Sequence, residues 1–208
     1  MLSEELSQNP WFRRFAEDET AVSALLLEAV PGYARIDQPG RFRIAEAAIE
    51  HGRGCAADFH GQTPSQIAIA KGLSLGRLPD QDWALRGYRA EYDAREKTMY
   101  LSESGIRDLA SCLGLWEGMP PSWSRAREIA VAHELFHFIA GGNQKFRRAE
   151  EEIAAHAFVK ALLNLAVTPL WFDWLTVWER EGRDEEAVRS WCQAVALSKH
   201  SGREARIP

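Results

Sequence analysis

Apolar residues recur at helical spacing in the first part of the chain. They fall at three- and four-residue intervals over 20–30 and over 42–51, and a turn-rich stretch with Gly and Pro separates the two segments. This pattern predicts two amphipathic helices. A shorter helix is predicted next, because Thr63 is a favoured N-cap, Pro64 suits the first helical position and Gly72 provides a stop.

The middle of the chain changes to a period of two residues. Segments 85–92 and 98–103 alternate in polarity and contain aromatic residues, and the polar stretch DAREK lies between them. This alternation predicts a β-hairpin whose loop is longer than a tight turn. The second strand, 98–103, is predicted to be the edge of the sheet, since the helical half of the chain begins directly after it.

Helical periodicity then returns and continues to the C-terminal region. The helices that it predicts span 105–114, 123–140, 148–166, 169–181 and 184–199. Proline and glycine pairs at 120–121 and 141–142 mark the clearest breaks. The predicted fold class is therefore α+β, with a small antiparallel sheet and a mainly helical C-terminal half.

The 208 residues are enough for one domain with a sizeable core. The pattern divides them into an N-terminal helical segment over 1–60, a central core over 61–165 that holds the sheet, and C-terminal helices over 166–208. We expect the C-terminal helices to pack on the core, so that the three segments form one compact domain.

Composition narrows the class of protein. Hydrophobic residues make up 46% of the chain and charged residues 26%, which is typical of a globular protein. A net charge of -5 argues against direct nucleic-acid binding over a broad basic face. No apolar run approaches the ~20 residues of a membrane span, and no secretory signal is evident. The three cysteines form no CxxC pair, so a cytoplasmic protein with reduced thiols is expected.

The segment His133-Glu134-Leu-Phe-His137 carries the strongest chemical signal, because it is an HExxH motif inside a helical stretch. Residues four apart lie on one helix face, so both imidazoles can bind one Zn²⁺. Glu134 is then the candidate general base, which takes a proton from water and passes it to the leaving amine. Two partly buried histidines that make ordinary hydrogen bonds are the alternative interpretation.

A catalytic zinc site needs a third protein ligand, and the next helix offers three acidic candidates. Glu152 ranks first, because it borders the apolar stripe of that helix, and Glu151 and Glu150 follow. Acidic residues in a first helical turn also stabilise the helix dipole, which is the alternative role for all three. His156, one turn after Glu152, is a second-shell residue or an alternative ligand.

These two helices resemble the ImmA/IrrE family of metallopeptidases. Members pair an HExxH helix with a later helix reading E-x-x-A-N-x-F-A-x-x-L-L, and this chain has HELFH followed by EIAAHAFVKALL over 152–163. Upstream, YDAREKTMYLSES resembles the strand pair of the family, and the likeness covers roughly 60–165. His156 stands where members usually have Asn, and Val159 where they have Ala.

The resemblance implies a zincin-like fold, with Zn²⁺ held by His133, His137 and Glu152 and with Glu134 as the general base. It also implies a protein or peptide substrate, since members commonly cleave a DNA-bound transcriptional repressor. A zinc-dependent metallopeptidase is therefore the predicted function.

A second donor would help zinc to stabilise the oxyanion of the reaction. The candidates are three tyrosines of the predicted hairpin and a histidine before it, and the sequence does not choose among them. They are Tyr88, Tyr92, Tyr100 and His60.

Other functions stay open. A zinc-binding regulatory or DNA-associated protein without peptidase activity, and a hydrolase of non-peptide substrates, could use the same ligands. Residues 66–74 have a sequence pattern typical of a helix-turn-helix. Gly76 and Pro79, however, interrupt the segment that would be its recognition helix. The Trp-rich face of 170–178 suits core packing or a protein partner better than a membrane surface, because acidic residues lie opposite it.

Overall fold

A computed structural model of the chain describes residues 2–59, 61–78, 89–140 and 147–204. In these ranges helices dominate and a small sheet joins them, so the predicted α+β class is confirmed. The helices are α1 (Leu2–Gln8), α2 (Pro10–Glu17), α3 (Glu19–Ala29), α4 (Gln38–Ala56), α5 (Pro64–Ala70), α6 (Glu103–Glu117), α7 (Trp123–Ala140), α8 (Arg148–Leu162), α9 (Pro169–Arg180) and α10 (Glu185–Glu204). The strands are β1 (Ser74–Leu78), β2 (Ala90–Asp93) and β3 (Thr98–Ser102).

Side-chain caps set where the N-terminal helices begin. Asn9, Asp18 and Asp37 each accept a hydrogen bond from a backbone N–H in the first turn of α2, α3 and α4. The cap at Asp37 starts α4 at Gln38, and the helix continues to Ala56, so it is longer than the predicted 42–51 at both ends. The predicted start of α5 is confirmed, because Thr63 forms a capping box with Gln66.

The sheet is mixed, so the prediction of an antiparallel sheet is wrong in part. Its strand order is β1-β3-β2. β2 pairs antiparallel with β3, as the hairpin predicts, but β1 pairs parallel with β3. β1 was missed because its polarity does not alternate and because it contains Gly76. That glycine has a structural reason, since a Cβ at this position would lie 2.7 Å from the Tyr100 ring on β3.

This strand order corrects two further predictions. β3 lies between the other strands, so 98–103 is not the edge of the sheet, and β1 and β2 are the outer strands among those that the structure describes. The helix-turn-helix alternative is contradicted, because residues 74–78 form a strand where that motif needs its recognition helix. Most of the predicted first strand, 85–92, lies outside the described residues.

The C-terminal helices follow the predicted order. α7 has its predicted bounds, whereas α8 ends at Leu162 rather than at 166, and Asn164 follows with a left-handed φ of 49°. The Trp-rich face of α9 is buried in the core, with Trp171 and Trp178 fully covered. Among the described residues, no helix is both long enough and apolar enough to cross a membrane.

Helices α4 and α8 pack closely against each other. Gly52 of α4 lies so near the Ala154 carbonyl of α8 that a Cβ would be 2.0 Å from its oxygen. Small residues on the same face, Ala45 and Ala48, are fully buried. This contact holds α8 in the core, and α8 in turn carries the acidic and histidine candidates of the predicted site.

Candidate metal centre

Helix α7 presents the three residues of the HExxH motif on one side and is anchored in the core by the other. Val131, Leu135 and Phe136 are buried, which fixes the rotation of the helix about its axis. His133 and His137 lie one turn apart, as their spacing predicts, with ring centroids 4.9 Å apart. Both imidazoles are therefore held on the surface that faces α8.

Helix α8 brings Glu152 to the two histidines. Its carboxylate oxygens lie 3.3 Å from Nε2 of His133 and 3.7 Å from Nε2 of His137. The three side chains form a group in which one potential ligand atom from each lies within 4.8 Å of the others. Glu150 points elsewhere, since it accepts a hydrogen bond of 2.7 Å from the hydroxyl of Tyr33. Glu151 is not part of the group either.

The types and spacing of these donors are compatible with a bound metal ion such as zinc. Donors placed about 2.0–2.1 Å from zinc at tetrahedral angles lie roughly 3.3–3.5 Å from one another. Nε2 of His133 lies 3.3 Å from one carboxylate oxygen of Glu152, and Nε2 of His137 lies 3.7 Å from the other. Nε2 of His133 is buried and lies 3.3 Å from a Glu152 oxygen. A ring nitrogen and a carboxylate oxygen at this separation can both be ligands of one shared cation.

Without a metal, the carboxylates around His133 favour its charged form. Burial lowers the pKa of His133, but the contacts with Glu134 and Glu152 outweigh burial and raise that pKa to about 10. Burial disfavours the charged form of Glu152 and so raises its pKa. The hydrogen bond and the positive charge of His133 have a larger, opposite effect, and the pKa of Glu152 falls to about 2. The metal-free site therefore holds an imidazolium beside an ionised carboxylate.

The pKa of the neighbouring imidazole, that of His137, shifts in the opposite direction. Burial and then the positive charge of His133 lower the pKa of His137. At neutral pH His137 is therefore neutral and ready to act as a ligand, whereas His133 must first lose a proton to bind a metal.

Glu134 is buried against its neighbour on α7. Its side chain is only 10% exposed, and Oε1 lies 3.2 Å from Nδ1 of His133. The carboxylate thus contacts one candidate ligand and borders the same cavity as the three-residue group. This position is compatible with the predicted role of a base, and it also orients the His133 ring.

A cavity of about 370 Å³ opens beside this group. Helices α7, α8 and α9 and strand β2 contribute to its walls. The residues that carry polar groups into it are Arg89, Glu91, Tyr92, His133, Glu134, His137, Arg148, Glu152, His156 and Asp173. The cavity is large enough for part of a peptide or for a small molecule.

The four candidates for the second oxyanion donor lie in different places. Tyr92 lines the cavity from β2, and its ring packs edge-on against Phe138 at 5.7 Å. Tyr100 does not line it, because its hydroxyl donates a hydrogen bond to Glu96 at the hairpin turn. Tyr88 and His60 lie outside the described residues. Tyr92 is thus the one candidate that the described part of the chain brings to the cavity.

The ion pair of Arg89 and Asp173 is part of the cavity wall that the sequence did not predict. Arg89, just before β2, forms an ion pair with Asp173 of α9 and donates to the Phe172 carbonyl at 3.3 Å and to the Thr176 hydroxyl at 3.2 Å. Burial lowers the pKa of Arg89 to about 10, so it remains a cation at neutral pH. An acid inside the Trp-rich helix could have drawn attention to Asp173, but no local pattern singles out Arg89.

His156 belongs to the same network. Its Nε2 lies 3.1 Å from Oδ2 of Asp173, and its ring centroid is 4.7 Å from that of His133. Burial lowers the pKa of His156 well below its usual value, and the charge of His133 lowers it further. The residue contacts a candidate ligand, as predicted for a second-shell group, but it is not part of the three-residue group.

Comparison with known proteins does not identify the chain. No family model, no curated protein and no solved structure matches it. The resemblance to the ImmA/IrrE motifs, and the zincin-like fold that it implies, therefore stay predictions.

Proposed function

We propose that the protein is a zinc-dependent metallopeptidase. The observation that carries the proposal is the convergence of His133, His137 and Glu152 on one point of a cavity, with ligand atoms within 4.8 Å of one another. Two imidazoles and one carboxylate are a ligand set of catalytic zinc sites, which leave a further position for water or substrate. Glu134 on the cavity wall supplies the acid–base group that such a reaction requires.

The chemistry that zinc supplies when bound is the activation of water, whose pKa falls to about 7, and the polarisation of a carbonyl oxygen. The carboxylate of Glu134 takes one proton from the water while the water oxygen bonds to the carbonyl carbon. That proton then passes from Glu134 to the amide nitrogen as the C–N bond breaks, which leaves a carboxylic acid and an amine. The side chain of Glu134 is only 10% exposed, so little bulk water surrounds its carboxylate.

The edge strand β2 offers a docking place for an extended peptide. Ser102 N donates to Arg89 O, so the antiparallel register directs the backbone groups of Glu91 towards β3 and those of Ala90 and Tyr92 away from it. None of the described strands pairs with these outward groups, so another extended chain can pair with them. Glu91 and Tyr92 also line the cavity. A flexible segment of a partner protein, such as the repressor that the resemblance implies, suits this geometry.

The test is peptide cleavage by the zinc-loaded chain and by the Glu134→Gln variant. A library of quenched fluorescent peptides identifies a substrate, and its kcat is measured at neutral pH. Glu134→Gln should keep its zinc and its fold while kcat falls by about 10² or more. Glu151→Gln, the same change beside the group, is the control and should retain activity.

Two results would contradict the proposal. If the zinc-loaded protein cleaves no peptide in the library, the chain is better described as a zinc-binding protein without peptidase activity or as a hydrolase of other substrates. If Glu134→Gln cleaves as fast as the wild type, a different group acts as the base.

A further inference from the structure

Arg148 is an exposed cation in the wall of the cavity, and the mechanism above does not use it. It is the first residue of α8, one turn before Glu152, so the two side chains share a face of that helix. Both line the cavity. The helix thus places a permanent positive charge beside the three-residue group.

The two arginines of the cavity wall differ in their contacts. Arg89 forms an ion pair with Asp173, and it also donates to the Phe172 carbonyl at 3.3 Å and to the Thr176 hydroxyl at 3.2 Å. Its side chain is only 13% exposed. The side chain of Arg148, by contrast, makes no ion pair and no hydrogen bond within the part of the chain that the structure describes. Its guanidinium is therefore the more accessible of the two to a group that enters the cavity.

The acids of the same wall do not neutralise Arg148. Glu134 and Glu152 each lie within 3.3 Å of a ring nitrogen of His133. Glu91 lines the cavity from strand β2 and is exposed. Among the described residues none of these three forms an ion pair with Arg148. A carboxylate that a substrate brings to this end of the cavity would therefore meet a cation without displacing one of these acids from it.

The stability of α8 does not explain a cation at this position. The dipole of a helix favours acids in its first turn, where Glu150 and Glu151 lie, and disfavours a positive charge there. The preceding residue, Arg147, has a packing role, because its guanidinium lies 5.8 Å from the centre of the Tyr33 ring. No such ring contact of Arg148 occurs in the described ranges. A role in recognition accounts for its position better than a role in folding.

We propose that Arg148 binds a carboxylate of the substrate close to the scissile bond. This inference rests on the proposed peptidase function. The four residues from Arg148 to Glu152 span about 6 Å along α8, and an extended peptide advances about 3.3 Å per residue. The carboxylate therefore lies within about three residues of the scissile bond. A guanidinium donates two parallel hydrogen bonds to a carboxylate. An acidic side chain and the C-terminus of a peptide both supply that group.

The experiment starts from a peptide that the zinc-loaded wild type cleaves. Each of the three positions on either side of its scissile bond is replaced in turn by glutamate, glutamine and lysine. A further pair of peptides ends two residues after the scissile bond, as the free acid or as the amide. For every peptide kcat and KM are measured with the wild type, Arg148→Gln, Arg148→Glu and the control Arg147→Glu. The control makes the same charge reversal at the neighbouring residue, whose side chain lies over Tyr33.

The wild type should prefer a carboxylate to its uncharged amide by about 5- to 10-fold in kcat/KM, mainly through KM. The preference should fall as salt is added, because salt screens an exposed ion pair. Arg148→Gln should abolish it, Arg148→Glu should favour lysine instead, and Arg147→Glu should keep it. A preference for glutamate at one position identifies an acidic side chain as the group that is bound, whereas a preference for the free acid in the shortened pair identifies the C-terminus.

Three results would overturn the inference: a wild type without any preference for a carboxylate, a preference that persists in Arg148→Gln, or one that Arg147→Glu removes equally. Bound zinc is measured for every variant. Arg148→Gln adds no acid beside Glu152, so it decides the outcome if Arg148→Glu binds zinc differently. A wild type that cleaves peptides without such a preference contradicts this inference alone, whereas a wild type that cleaves no peptide contradicts the peptidase proposal and this inference with it.

Discussion

Replacing Gly52 with alanine adds one methyl group at the contact between α4 and α8. The new Cβ would lie 2.0 Å from the Ala154 carbonyl oxygen and 3.0 Å from the Phe158 nitrogen. Both are backbone atoms inside a helix, so no side-chain rotation can relieve the clash. The two helices must separate by roughly 1.4 Å to restore an ordinary van der Waals distance, in an interior with little free volume.

Two opposing effects determine how much Gly52→Ala changes the free energy of unfolding. Alanine in place of glycine inside a helix gains up to about 1 kcal/mol from backbone entropy. Overpacking of a well-filled core costs about 1–3 kcal/mol and more when the backbone has to move. The clash is with rigid backbone, so we expect a net loss of about 2 kcal/mol in the free energy of unfolding. For a chain of this size that corresponds to a Tm lower by roughly 4–8 °C.

The assay is urea and thermal unfolding of the metal-free protein, followed by circular dichroism. Gly54→Ala is the matched control, because it lies in the same helix and its Cβ would meet nothing within 4 Å. The control should be as stable as the wild type or gain up to about 1 kcal/mol. A Gly52→Ala chain that is as stable as the Gly54→Ala chain would refute the packing argument.

Three further predictions concern the site. Glu152→Ala should weaken zinc affinity by a large factor and Glu151→Ala only slightly, as measured by competition with a chelator; equal effects would place the third ligand elsewhere. At neutral pH, zinc binding should release about one proton per ion, because His133 holds a proton up to a pKa of about 10 while Glu152, with a pKa of about 2, is already ionised; calorimetry in buffers of different ionisation enthalpy counts it, and zero release would contradict the electrostatics. Tyr92→Pro should abolish peptide cleavage with zinc retained, since it removes an outward N–H of β2, whereas Tyr92→Phe, which keeps that N–H and loses only the hydroxyl, should cleave faster than the proline variant; full activity of the proline variant would exclude docking at this edge.

The sequence was most informative where the chemistry is local. The spacing of His133 and His137 predicts one helix face, and the structure has both rings on that face. The preference for Glu152 over Glu150 and Glu151 came from its position beside the apolar stripe of α8. The structure brings Glu152 to the histidines and turns Glu150 towards Tyr33. Helical periodicity decides such questions, because it fixes direction within one element.

Contacts between segments that are far apart in the sequence were harder to predict. The parallel pairing of β1 with β3 joins segments 20 or more residues apart, and Gly76 breaks the alternation that could have revealed the strand. The edge of the sheet was assigned to 98–103 from chain order, whereas pairing on both sides puts β3 in the middle. The network of Arg89, Asp173 and His156 joins three separate elements, and no spacing rule connects them.

The central claim is that His133, His137 and Glu152 hold one zinc ion. The most direct measurement is the zinc content of the purified chain, by inductively coupled plasma mass spectrometry after dialysis against a weak chelator. The wild type should retain about one zinc per chain, and the variant with both His133→Ala and His137→Ala should retain almost none while circular dichroism shows it folded. Stoichiometric zinc in the folded double variant would contradict the claim.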